Sequence, residues 1–125
     1  MNNTPDNITE LEPNQIFVFG SNLSGHHAGG AARLAHDKFG AEMNVGEGLT
    51  GRCCYAFPTL GYDMQKRGGL NLNISKNRLF STARALPEKT FLLTKVGCGI
   101  ANYSEEEMAK LFENSPSNIV KPKNW

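Results

Sequence analysis

Apolar residues recur along this chain in short bursts, separated by stretches rich in glycine or polar side chains. Residues 15–19 carry a nearly continuous Ile-Phe-Val-Phe run, the pattern of a strand covered on both faces. After a glycine-rich stretch, Ala31, Ala32, Leu34, Ala35 and Phe39 fall at helical spacing, and Gly40 supplies a left-handed stop. Residues 41–52 hold Gly46, Gly48 and Gly51 and read as a loop. Residues 53–57 read as a second strand closed by Pro58, followed by a polar excursion to Gly69. Ile74, Leu79, Phe80, Ala83 and Leu86 then give a helical pattern that Pro87 halts. Residues 90–96 form a third strand. Ser104 and Glu107 sit at capping-box spacing ahead of a short helix that buries Met108, Leu111 and Phe112. Residues 118–120 suit an edge strand, and residues 1–14, rich in Asn, Pro and acidic side chains, suit an irregular arm.

Strands alternating with helices predict a single α/β domain over residues 1–125, with a mostly parallel core sheet and helices on both faces. At 125 residues the chain is long enough for one substantial core, and 39% hydrophobic with 20% charged residues is ordinary globular composition. The formal net charge of +1 offers no general electrostatic case for nucleic-acid binding. No apolar run approaches bilayer-spanning length, and three cysteines, two of them adjacent, do not form a disulfide framework. The expected compartment is the reducing cytoplasm, with no membrane partner.

Thirteen glycines are the compositional oddity, and they cluster where chemistry is expected. Residues 17–32 run from an apolar strand through Gly20, Ser21 and Asn22 to Gly25, Gly29 and Gly30, then into a helix. Strand, tight glycine loop and helix is the arrangement that aims backbone N–H groups and a helix N-terminus at an anion. Residues 91–104 repeat it through Gly97, Cys98, Gly99, Ile100, Ala101, Asn102 and Tyr103. Two such loops in one small domain point to one ligand held at two points, most simply a pyrophosphate. Asn22 offers both a donor and an acceptor to a sugar hydroxyl or carbonyl, or closes an Asx-type turn. The neighbours His26 and His27 cannot readily share one metal, so metal binding is not expected, and the reading calls for no cofactor; one histidine contacts a phosphate or sugar or serves as a general base, with His27 the better candidate. Cys98 lacks a partner base at suitable spacing. Tyr103 packs on a ribose or fills the core. Glu47 pins its glycine-rich loop through backbone N–H bonds or orients water, and Arg52, Lys66 and Arg67 are most simply surface charges, or else close over an acidic ligand.

In this order the segments resemble the macro domain superfamily. The strand ending in Phe-Gly-Ser-Asn22 resembles the macro strand that ends in Asn-Ala-Ala-Asn, and residues 25–32 resemble its glycine loop entering the first helix. Gly46-Glu-Gly-Leu-Thr-Gly51 before Cys-Cys-Tyr-Ala-Phe-Pro58 is similar to the segment carrying Gly-Glu ahead of the next strand. Val96-Gly-Cys-Gly-Ile-Ala-Asn-Tyr103 looks like the second phosphate loop. The resemblance spans roughly residues 15–113. It implies a three-layer α/β/α fold with a mixed, mostly parallel central sheet, binding ADP-ribose or a related nucleotide diphosphate derivative. Asn22 and Tyr103 would then flank the distal ribose, and Gly29, Gly30 and the backbone of residues 97–102 would hold the diphosphate. Some members hydrolyse ADP-ribosyl or phosphate esters, a step for which Asn22 and His27 are the catalytic candidates here; others only bind. Two departures stand out. The family's adenine-reading Gly-Asp-Ile has only a loose, shifted echo in Asp6-Asn7-Ile8-Thr9, and residues 28–31 lack the acidic residue of many hydrolytic members. The alternative is a non-enzymatic reader of ADP-ribosylated protein or nucleic acid, nucleic acid being a partner only in that modified form. Oligomeric state is open.

Overall fold

Alternation along β1 (Gln15–Asn22) divides the molecule in two. Phe17 and Phe19 face one side of the sheet and Ile16 and Val18 the other, and each set is buried in a different core. The computed structural model describes residues 3–125. Beyond β1 the chain forms α1 (Gly30–Phe39), β2 (Gly48–Thr50), β3 (Cys54–Leu60), α2 (Gly69–Ala85), β4 (Thr90–Leu93), α3 (Glu105–Leu111) and β5 (Ile119–Val120). The strands make one sheet in the order β2-β3-β1-β4-β5. β1 runs parallel to both β3 and β4, β4 runs parallel to β5, and β2 is antiparallel to β3. The class is therefore α/β with a mixed, mostly parallel sheet.

On one face Phe17, Phe19, Cys54, Ala56 and Leu92 meet Ala32, Ala35 and Phe39 of α1, with Ile8 of the irregular N-terminal segment. On the other, Val18, Tyr55, Phe57, Phe91 and Leu93 meet Leu72, Leu79, Phe80 and Ala83 of α2, and Met108 and Phe112 at α3. Three layers result, because a strand buried on both faces needs helices on both.

Several boundaries move for tertiary reasons. β1 continues three residues past Phe19, since pairing with β3 extends to Asn22 and Leu60 and satisfies polar backbone that its sequence pattern does not mark as strand. Residues 48–50, expected in a loop, pair as β2 with Cys54, Tyr55 and Ala56. Pro58 does not end β3: β2 pairs no further along β3 than Ala56, so Pro58 has a strand neighbour on the β1 side alone. α2 begins at Gly69, and its buried face is Leu72, Ser75, Leu79, Phe80 and Ala83, with Ile74 turned outward. β4 stops at Leu93, short of Val96. The capping box at Ser104 and Glu107 is formed in both directions, and Gly40 closes α1 at φ 81°. No helix among the described residues is long and apolar enough to cross a membrane.

β1 and β4 are neighbours whose connections depart in opposite directions. From β1 the chain passes through α1 toward β3; from β4 it passes through α3 to β5. Helices leaving to opposite faces hold a crevice open at the carboxyl ends of two such strands.

Candidate functional site

A cleft of about 390 Å³ opens at that point, within the usual size range of small-molecule sites. Gly20, Ser21 and Asn22 at the end of β1 line its base. Residues 28–32, the entry to α1, form one wall; residues 94–97 and 99–101, after β4, form the opposite one. Thr59 and Leu60 close a third side, with Met64 from the loop beyond β3.

The walls are chiefly main chain. Among the described residues, the N–H groups of Gly30, Ala31 and Ala32, and those of Gly97, Gly99, Ile100 and Ala101, have no hydrogen-bond acceptor. α1 begins at Gly29 without a side-chain cap and carries no acidic residue in its first turn. Its dipole is therefore unopposed at the cleft. Among the described residues, no Asp or Glu side chain lines the cavity, and His26 and Lys95 are its ionisable side chains. Such a surface offers donors and positive potential and disfavours cations.

No protein-family model, curated protein or solved structure matches the chain.

Gly20, Ser21, Asn22, Gly29, Gly30, Gly97, Gly99, Ile100 and Ala101 come together in the cleft. Asn22 does so with its carboxamide engaged: Oδ1 accepts from the His26 N–H (3.0 Å) and the Ser24 hydroxyl (2.6 Å), and Nδ2 donates to the His26 carbonyl (2.9 Å). One Nδ2 hydrogen remains for other work. The Ser21 hydroxyl donates to the Gly46 carbonyl. Both side chains stitch the loop while their backbone borders the cleft.

The other expected site residues lie elsewhere. His27 is fully buried, edge-on to Phe19 at 5.2 Å, with Nε2 3.0 Å from the Glu42 carbonyl and Nδ1 unpartnered. Burial pushes its pKa below the ordinary 6.5, and the ring does not line the cleft. It packs as a core residue, and exposed His26 is the histidine at the cavity. Gly25 is a packing glycine: at φ 73°, a β-carbon there would lie 2.4 Å from Asn44 and Val45 backbone. Cys98 is half-buried outside the lining, and burial pushes its thiol pKa up, which makes it a poor nucleophile. Asn102 is exposed, its carbonyl accepting from Lys66 Nζ at 3.2 Å. Tyr103 belongs to the core, and its hydroxyl donates to the Arg67 carbonyl, fastening the loop before α2.

Arg67, expected as a surface charge, is half-buried and donates to the Pro58 carbonyl and the Ser75 hydroxyl, both at 2.9 Å. Glu47 pins its loop, through Arg78 of α2 at 2.9 Å rather than through backbone N–H groups. Lys95, Thr94 and Val96 were hidden as the end of an expected strand. A lysine inside an apolar run was the available signal. Met64 gave none. Asp6, Asn7, Ile8 and Thr9 line an adjoining hollow that shares Gly30, Ala31 and Thr94 with the cleft.

Proposed function

We propose that the chain binds ADP-ribose or a related nucleotide diphosphate derivative, with the pyrophosphate between the N-terminus of α1 and residues 95–101. The observation that carries this reading is convergence: two segments far apart in sequence bring unpaired N–H groups into one cavity free of carboxylates. Oriented backbone donors with a helix N-terminus suit phosphate oxygens, which need several short charge-assisted bonds. The resemblance to macro domains supplies the nucleoside parts. The adjoining hollow, with Asp6 at its wall, supports a base lying beside the first loop.

The proposal is for binding, as a reader of ADP-ribosylated protein or of the free nucleotide. Asn22 is tied into its own loop and His27 is buried away from the cavity, so neither is arranged to activate water. Ile100 stands 86% exposed at the rim, leaving the mouth accessible to a ligand attached to a larger molecule. The three cysteines are unpaired, which supports a reducing compartment, the cytoplasm.

Titration calorimetry with ADP-ribose, ADP and inorganic pyrophosphate tests this. Saturable heat is expected for the first two, with pyrophosphate weaker. Heats no different from buffer at millimolar ADP-ribose overturn it.

A further inference from the structure

Among the described residues, Lys95 is the only Lys or Arg side chain that lines the cleft. It stands just after β4, and its Nζ lies 3.4 Å from Oε1 of Glu105, the first residue of α3. That oxygen also accepts from the indole Nε1 of Trp125 at 3.3 Å. The Trp125 ring stacks on the fully buried Phe112, with centroids 6.0 Å apart and planes 19° from parallel. A tryptophan resting on the core therefore holds the carboxylate from behind, and Lys95 meets it from the cleft side. The indole and then the ammonium keep the Glu105 carboxyl below its usual range, so the carboxyl is ionised at neutral pH.

Both partners are about half exposed, and exposed pairs of this kind are weak. Lys95 is thus placed without being locked. An ammonium at the wall of a cavity lined by backbone donors adds the one full positive charge that those donors lack.

We propose that Lys95 determines the cleft's preference for phosphorylated over neutral ligands and that Glu105 is its positioning residue, which a bound phosphate must out-compete. The proposal rests on the reading that this cleft takes a nucleotide diphosphate. Lys95 makes a charge-assisted bond to a phosphate oxygen; Glu105 aims the side chain when the site is empty and weakens anion binding by sharing its charge.

The test is calorimetric titration of ADP-ribose into the wild type, Lys95→Met, Glu105→Gln and the double variant, at low and moderate ionic strength, with thermal melts of each. Lys95→Met is expected to weaken binding about tenfold and to flatten its salt dependence. Glu105→Gln is expected to tighten binding about threefold at low salt, and the double variant to match Lys95→Met. A Lys95→Met affinity within about twofold of wild type, or a Glu105→Gln gain that persists in the Lys95→Met background, overturns the proposal and leaves the cleft reading intact. Absence of wild-type binding overturns both.

Discussion

Replacing Gly99 by alanine separates ligand binding from folding. Gly99 lines the cleft, its φ lies outside the left-handed region, and a β-carbon built there meets nothing within 4 Å. The folded state therefore has room for the methyl group, while the unfolded chain loses conformational freedom. Substitutions of that kind stabilise by about 0.4–1 kcal/mol, a rise in Tm of roughly 1–5 °C for a domain of this size. Binding should move the other way. A carbon needs more distance from a phosphate oxygen than an N–H does, so the methyl group displaces an anion seated on residues 97–101. Loss of one hydrogen bond to a charged group costs about 1.5–3 kcal/mol, or roughly ten- to hundredfold in Kd. Thermal melts followed by circular dichroism and calorimetric titration with ADP-ribose read the two effects separately. A lowered Tm would mean that the glycine serves the loop's conformation. A raised Tm with unchanged affinity would refute the placement of the anion.

Gly25→Ala should destabilise by about 3 kcal/mol or more, read as a lower urea midpoint, because its β-carbon would lie 2.4 Å from backbone at a positive φ. Tyr103→Phe removes the donor to the Arg67 carbonyl; it should cost about 1–2 kcal/mol and speed amide exchange across residues 61–68. Burial holds His27 below 6.5, so the unfolded chain binds the extra proton first as pH falls. Stability should therefore decline as pH drops through 6.5, and levels off below the folded-state value. Urea midpoints measured on either side of pH 6.5 check this, and His27→Phe should flatten the slope.

What could be read in advance depended on whether the information was local. The Ile-Phe-Val-Phe run, Gly40 and the Ser104–Glu107 box act within a few residues of themselves, and β1, α1 and α3 appear where they predict. β2 could not be seen because Gly48, Leu49 and Thr50 become a strand only by pairing with β3. Pro58 reads locally as a stop, but the sheet offers it a place where one side is unpaired. Leu79, Phe80 and Ala83 are buried as the helical pattern predicts, but Ile74 misled at its start, where Leu72 and Ser75 face inward and a serine adds nothing to an apolar pattern. At the site, one of the adjacent histidines, His26, faces the cleft and the other, His27, faces the core. Which one faced the core was decided by Phe19 and the Glu42 carbonyl, neither of them near in sequence.

The same distinction explains why the cleft was legible while its chemistry was not. A cavity walled by N–H groups requires backbone to come close to the ligand, and glycine is the residue that permits it. Such a site is written in glycines, and the two clusters announced it. Catalytic side chains are written differently: each needs a partner that tunes its pKa, and partners arrive from distant segments. Asn22 looked available until the Ser24 hydroxyl and His26 backbone took its carboxamide. Lys95 fell inside an expected strand, but β4 ends before it and leaves it beside the cavity and opposite Glu105. A donor-rich cleft with one shared cation and no carboxylate can grip an anion strongly and has little with which to activate water. Those are the grounds on which recognition of a phosphorylated ligand is proposed.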